Sequence, residues 1–125
     1  MIAARLAAAA LALSPAAAFG SQTPAPVQRV DLVSFTYRPT PIVLRAGRPV
    51  TLLLVNRSKG SHDFTAPAFF RSARMLSGPV PRGSIGLRGG QTASVTLVPA
   101  AGRYRVHCGR PFHKMMGMQA SILVQ

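Results

Sequence analysis

Residues 104–124 read YRVHCGRPFHKMMGMQASILV and hold the chain's one cysteine, Cys108, with His113 five residues on and Met118 five beyond that. Met115 and Met116 lie between them. A thiolate, an imidazole and thioethers within eleven residues form a set of soft donors, the ligand chemistry that selects copper over hard cations.

One Cys, one His and one Met do not close a copper site. The trigonal arrangement that suits both oxidation states takes two imidazoles and a thiolate, with a weak axial thioether. The chain has three histidines, His62, His107 and His113. In a strand over residues 102–108, alternation places Tyr104, Val106 and Cys108 on one face and Arg103, Arg105 and His107 on the other. His107 then points away from the thiolate, which leaves His62, 46 residues upstream of Cys108, as the second imidazole.

The elements that must bring these residues together are short strands. Residues 31–37 alternate, with Val33, Phe35 and Tyr37 on one side, and Pro39 and Pro41 end the run. Residues 42–44 make a short edge strand, followed by turn chemistry at 46–49. Residues 50–55 are apolar on both faces, as in a central strand. Asn56 and a loop over 57–61 lead to His62. Within 67–89, residues 68–76 suit two helical turns with Phe69, Phe70, Ala73 and Leu76 inward, and 78–83 suit a loop. Residues 91–98 alternate with Ala93, Val95 and Leu97 inward, and 99–102 turn into the cysteine strand. Met118 alternates inward with Ala120, Ile122 and Val124, a pattern that fits a core methionine as well as a ligand. Seven to eight short strands with turns between them indicate an all-β sandwich.

Residues 1–20 read as an export signal: Arg5 in a short cap, an apolar run over 6–13, and small residues that permit cleavage after Ala18 or Gly20. The run is shorter than the ~20 residues of a membrane span. Residues 21–28 read as an extended tether and 29–125 as one domain, since about 105 residues support a single core. No later segment is long and apolar enough to span a membrane, so the mature chain is expected to be a soluble monomer. A single cysteine in an exported chain is a reactive or metal-bound thiol when His and Met flank it.

The formal charge is +13, with Asp31 and Asp63 the only acids. Such a field attracts acidic partners. Nucleic acid is disfavoured, because the basic residues are scattered through strands and loops of an exported chain. Two acids offer no carboxylate pair for acid–base catalysis, and three histidines are too few for a multicopper oxidase or nitrite reductase, so no enzyme is expected.

In order along the chain, Phe35-Thr36-Tyr37-Arg38-Pro39, Ala46-Gly47, the strand from Val50 to Asn56, His62-Asp63-Phe64, and then Tyr104, Cys108, His113 and Met118 resemble the small cupredoxins, the blue type 1 copper proteins of the plastocyanin and azurin kind. The resemblance covers about residues 27–124, with 67–89 its poorest part. It implies a Greek-key sandwich holding one copper ion through His62, Cys108, His113 and Met118, and an exported, periplasmic protein that carries single electrons between protein partners. The alternative is storage or delivery of copper, suggested by Met115, Met116 and Met118 together with Asp63. In many electron-transfer members the residue after the first histidine is Asn. Asp63 at that position would favour Cu(II) and lower the potential if it faces the site. The expected contact surface for a redox or copper-exchange partner lies near Phe112, His113, Met115 and Met116, where Arg110 and Lys114 favour an acidic partner.

Overall fold

Val50–Asn56 (β4) organises the first of two sheets. Its alternation buries Val50, Leu52 and Leu54, while Thr51, Leu53 and Val55 are half-buried on the other face. The strand runs parallel to Val27–Val33 (β1) and antiparallel to Thr92–Val98 (β8), which confirms its central place. The computed structural model describes residues 3–5, 7–15, 23–110 and 117–125.

Thr36–Arg38 (β2) and Arg74–Ser77 (β6) complete that sheet, in the order β2-β1-β4-β8-β6. The second sheet runs β3-β10-β9-β5-β7, from Ile42–Leu44 (β3), Gln119–Val124 (β10), Gly102–His107 (β9), His62–Thr65 (β5) and Ser84–Leu87 (β7). A short helix, Pro67–Ser72 (α1), and a 3-10 turn, Pro81–Gly83, lie between β5 and β7. The inner faces share one core that includes Val30, Leu32, Tyr37, Leu54, Phe64, Leu97, Val106 and Ile122, all sealed from solvent. A chain of edge-on rings crosses it: Tyr37 to Phe64 at 5.8 Å, Phe64 to Phe70 at 6.0 Å, Phe70 to Phe69 at 5.1 Å and Phe69 to Tyr104 at 5.5 Å. Such pairs contribute ~0.5–1.5 kcal/mol each beyond the area they bury. The ring chain locks α1 onto the sandwich.

The all-β sandwich is therefore as expected, with ten strands among the described residues rather than seven to eight. Four differences have physical causes. The run 31–37 is two strands, because a turn at 34–35 reverses the chain so that β2 pairs with β1, Leu32 opposite Tyr37. The inward residues of β1 are accordingly Val30 and Leu32, and Val33 is only half-buried. β1 also starts at Val27, two residues inside the expected tether, because Val27 and Gln28 find partners in Thr51 and Leu52 of β4. The helix at 68–76 stops at Ser72, since residues 74–77 pair instead with β8. Phe69 and Phe70 do face inward, but strand periodicity turns Leu76 outward, 45% exposed. Ser84–Leu87 gave no strand signal in the sequence and is held by pairing with β5. No helix among the described residues is long and apolar enough to cross a membrane.

Candidate metal centre

The strand ends at one pole of the sandwich carry three of the four predicted donors, His62, Cys108 and Met118. β9 leads into Cys108, and β10 begins just after Met118; the Cys108 N–H donates to the Met118 carbonyl at 3.1 Å, extending the pairing of His107 with Gln119. Residues opposite each other across an antiparallel pair share a face. Cys108 and Met118 both turn into the core, 1% and 0% exposed. His107 takes the outer face, opposite Thr65 and Gln119, as alternation predicts. His62 opens β5 and is 1% exposed.

Burying an imidazole requires partners for both nitrogens. The His62 Nε2 lies 3.0 Å from the Ser34 hydroxyl, and Nδ1 lies 4.0 Å from Cys108 Sγ. The edge of the Phe35 ring meets the imidazole at 6.2 Å and 90°, limiting its rotation. With Nε2–H donating to Ser34, Nδ1 keeps its lone pair and aims it toward the sulfur side of the pocket.

Asp63, the next residue, acts on the cysteine in two ways. Its backbone N–H donates to Cys108 Sγ at 3.4 Å, fixing the position of the sulfur. Its carboxylate Oδ1 accepts from the Gly109 N–H at 2.8 Å and from the Thr65 hydroxyl at 2.6 Å, fixing the backbone just past the cysteine. The carboxylate thus faces Gly109 and Thr65, against the backbone just past the cysteine. Beneath it, the Tyr37 hydroxyl donates to the Asp63 carbonyl at 2.7 Å. Tyr37 is held far above its ordinary pKa, first by burial and then by the negative charges of Cys108 and Asp63, so it remains a donor.

Asn56, at the end of β4, braces the approach to His62. Its amide donates to the carbonyls of Gly60 at 2.9 Å, Leu87 at 3.1 Å and Arg88 at 3.0 Å, and its Oδ1 accepts from the Ser58 N–H and hydroxyl at 3.0 and 2.8 Å. Because Leu87 is the β-ladder partner of His62, this one side chain sets the loops on both sides of the histidine.

The donor set fits a soft metal. Bonds of about 2.0 Å to nitrogen and about 2.3 Å to sulfur, at an angle near 120°, separate two donors by ~3.8 Å; the observed separation of His62 Nδ1 and Cys108 Sγ is 4.0 Å. The fourth expected ligand, His113, lies outside the described residues, as do Met115 and Met116. Among the described residues no three His, Cys, Asp or Glu side chains form a metal cluster, and the described donors are one imidazole, one thiolate and one thioether. Ser34, Tyr37 and Thr65 escaped sequence reasoning. Ser34 and Tyr37 act through residues 28 and 26 positions along the chain, Thr65 through Asp63 two residues back, and no local pattern marks any of them.

No curated protein matches the sequence. Solved structures do match the fold. Auracyanin B superposes with a TM-score of 0.60 at 23% identity, covering 83% of this chain and 91% of that one. Auracyanin A, a "blue" copper protein of Chloroflexus aurantiacus, superposes at 0.58 with 20% identity, covering 79% and 98%. A multicopper oxidase of Campylobacter jejuni superposes at 0.63 with 14% identity over 83% of this chain, but only 31% of its own. The model of the cupredoxin-like domain family matches residues 2–124. With the pairing of the sheets and the His–Cys–Met pole both in place, this chain belongs to the cupredoxin-like domain family.

Proposed function

We propose that this chain is an exported, periplasmic protein that holds one type 1 copper ion and carries single electrons between protein partners. The observation that carries the reading is the buried convergence of His62 Nδ1 and Cys108 Sγ at 4.0 Å, beside the sealed side chain of Met118. His62, Cys108, His113 and Met118 would hold the ion. Copper bound there supplies a one-electron couple between Cu(II) and Cu(I).

The chain's own residues would make that couple fast by moving little. Ser34 and Phe35 hold the imidazole of His62, the Asp63 amide holds the Cys108 sulfur, and Asp63, Thr65 and Gly109 fasten the cysteine loop to β5. The low exposure of His62, Cys108 and Met118 keeps water from the donors. Residues 1–20 would direct export and be removed.

The test is the visible absorption spectrum of the purified mature chain after one equivalent of Cu(II), beside Cys108→Ala. An intense thiolate-to-copper band that bleaches with reductant, returns with oxidant and is missing from Cys108→Ala is the expected result. A colourless protein that still binds Cu(I) would replace the carrier reading with copper storage or delivery.

A further inference from the structure

We propose that the loops at 57–60 and 88–91 form a preset cationic docking face for an acidic protein segment, presenting Arg57, Lys59 and Arg88 beside the His62 edge of the site. This deepens the carrier reading, which supplies its purpose, while the docking chemistry stands without the metal.

The two loops are built as one piece. Beyond the five contacts of the Asn56 side chain, Gly90 N–H donates to the Asn56 carbonyl and Asn56 N–H to the Gln91 carbonyl, each at 2.9 Å. The Arg88 N–H donates to Gln91 Oε1 at 2.8 Å. The loops also touch through Gly89, where a Cβ would overlap the carbonyls of Ser58 and Lys59. The backbones under Arg57, Lys59 and Arg88 are thus fixed before any partner arrives, which removes part of the ordering cost of association. All three side chains are exposed.

Their charge is barely compensated. Asp31 is shared between Arg29 at 2.6 Å and Arg57 at 3.7 Å. Asp63, the only other acid of the chain, is turned toward Gly109 and Thr65. Arg29 and Arg57 therefore share one carboxylate, and among the described residues neither Lys59 nor Arg88 has an ion pair. The face sits at the functional pole, because Arg88 follows Leu87, the ladder partner of His62, and Lys59 precedes His62 by three residues.

The face suits a protein better than a bilayer. A membrane-surface element needs apolar side chains to bury among the lipids. Among the described residues the exposed large apolar side chains are Leu11, Leu13, Val27, Val43 and Leu76, and none belongs to these loops. Val27 begins β1, whose Leu32 end is the one that meets Asn56, so it marks the far end of that strand.

The test measures anisotropy of a labelled oligoglutamate peptide with the full mature chain at about 10 mM ionic strength, where charges act over ~30 Å. The triple variant Arg57→Gln, Lys59→Gln, Arg88→Gln is compared with Arg45→Gln, Arg48→Gln, Arg103→Gln, which removes the same charge at the opposite pole. The expected result is a loss of about tenfold or more for the first and less than about threefold for the second. Equal losses would overturn the proposal, because net charge alone would then explain binding. So would tighter binding to phosphatidylserine vesicles with the same residue dependence. The copper band is recorded on every sample: its absence from the wild type removes the carrier reading, whereas unequal peptide binding still establishes the face.

Discussion

Replacing Asn56 by alanine tests the bracing of the site most directly. The side chain is 1% exposed and makes five short contacts. Its two amide hydrogens serve three carbonyls, and its oxygen accepts two donors, so about four full hydrogen bonds are lost on truncation. At about 1 kcal/mol net each, the loss is ~4 kcal/mol. Water relieves part of this, since Gly60 and Ser58 lie near the surface, but the Leu87 carbonyl is buried with its bond and is left unsatisfied. The expected destabilisation is therefore about 3 kcal/mol, a large share of the ~5–15 kcal/mol that holds a domain together. With a urea dependence of about 1.5 kcal/mol per molar, the midpoint should fall by ~2 M. The chain has no tryptophan, so the transition is followed by far-ultraviolet circular dichroism. A loss below about 1 kcal/mol would refute the reasoning, by showing that the 57–60 and 88–91 loops are held by their backbones alone.

Four further outcomes are expected. Asp63→Asn keeps the acceptor for Gly109 and Thr65 but removes a charge next to the cysteine loop, so the reduction potential should rise in voltammetry, and an unchanged value would show that the charge does not reach the metal. Ser34→Ala removes the partner of His62 Nε2 and should weaken copper binding by about tenfold in a chelator competition; unaltered affinity would rule out a role in setting the tautomer. Tyr37 keeps its proton in the fold while the unfolded chain loses it near pH 10, so stability should fall as pH rises above about 10. In Tyr37→Phe that part of the alkaline slope should vanish, whereas an unchanged slope would show that Tyr37 does not carry it. Finally, Met115→Ala with Met116→Ala should leave Cu(I) affinity nearly unchanged in an electron carrier, and a loss of tenfold or more would favour copper storage.

What the sequence showed of this molecule follows from which interactions are local. The run of apolar residues to Asn56 marked β4 because a strand covered on both faces needs no polar alternation. The alternation around Cys108 placed Val106 inward and the arginines outward, and so separated His107 from the thiolate. Strand breaks were harder to see. Ser34 and Phe35 continue the apolar-polar rhythm of β1, so the turn that brings Ser34 to His62 left no period change. β6 and β7 are four residues each and depend on partners far along the chain, and Leu76 looked like a helix position because Phe69 and Ala73, seven and three residues earlier, share its helical face. Asp63 was visible as a departure from a resembled pattern, but the direction of its carboxylate depends on Gly109, 46 residues away.

The junction between β5 and β9 has a further consequence. Those strands share one ladder pair, Thr65 with His107, whereas β9 pairs with β10 along six residues and β5 with β7 along four. Beyond Thr65 the stitches are side-chain bonds: the Asp63 amide to the Cys108 sulfur, and the Gly109 amide to the Asp63 carboxylate. The second sheet is thus two smaller sheets joined at a seam, and a seam with few backbone bonds opens at lower free energy than the body of the fold. His62 stands on one side of it and Cys108 on the other. An ion held by both would bind only the closed form, so loading the site would slow hydrogen exchange at the amides of Asp63 and Gly109 first, making the metal a clasp for the sheet as well as the seat of its chemistry.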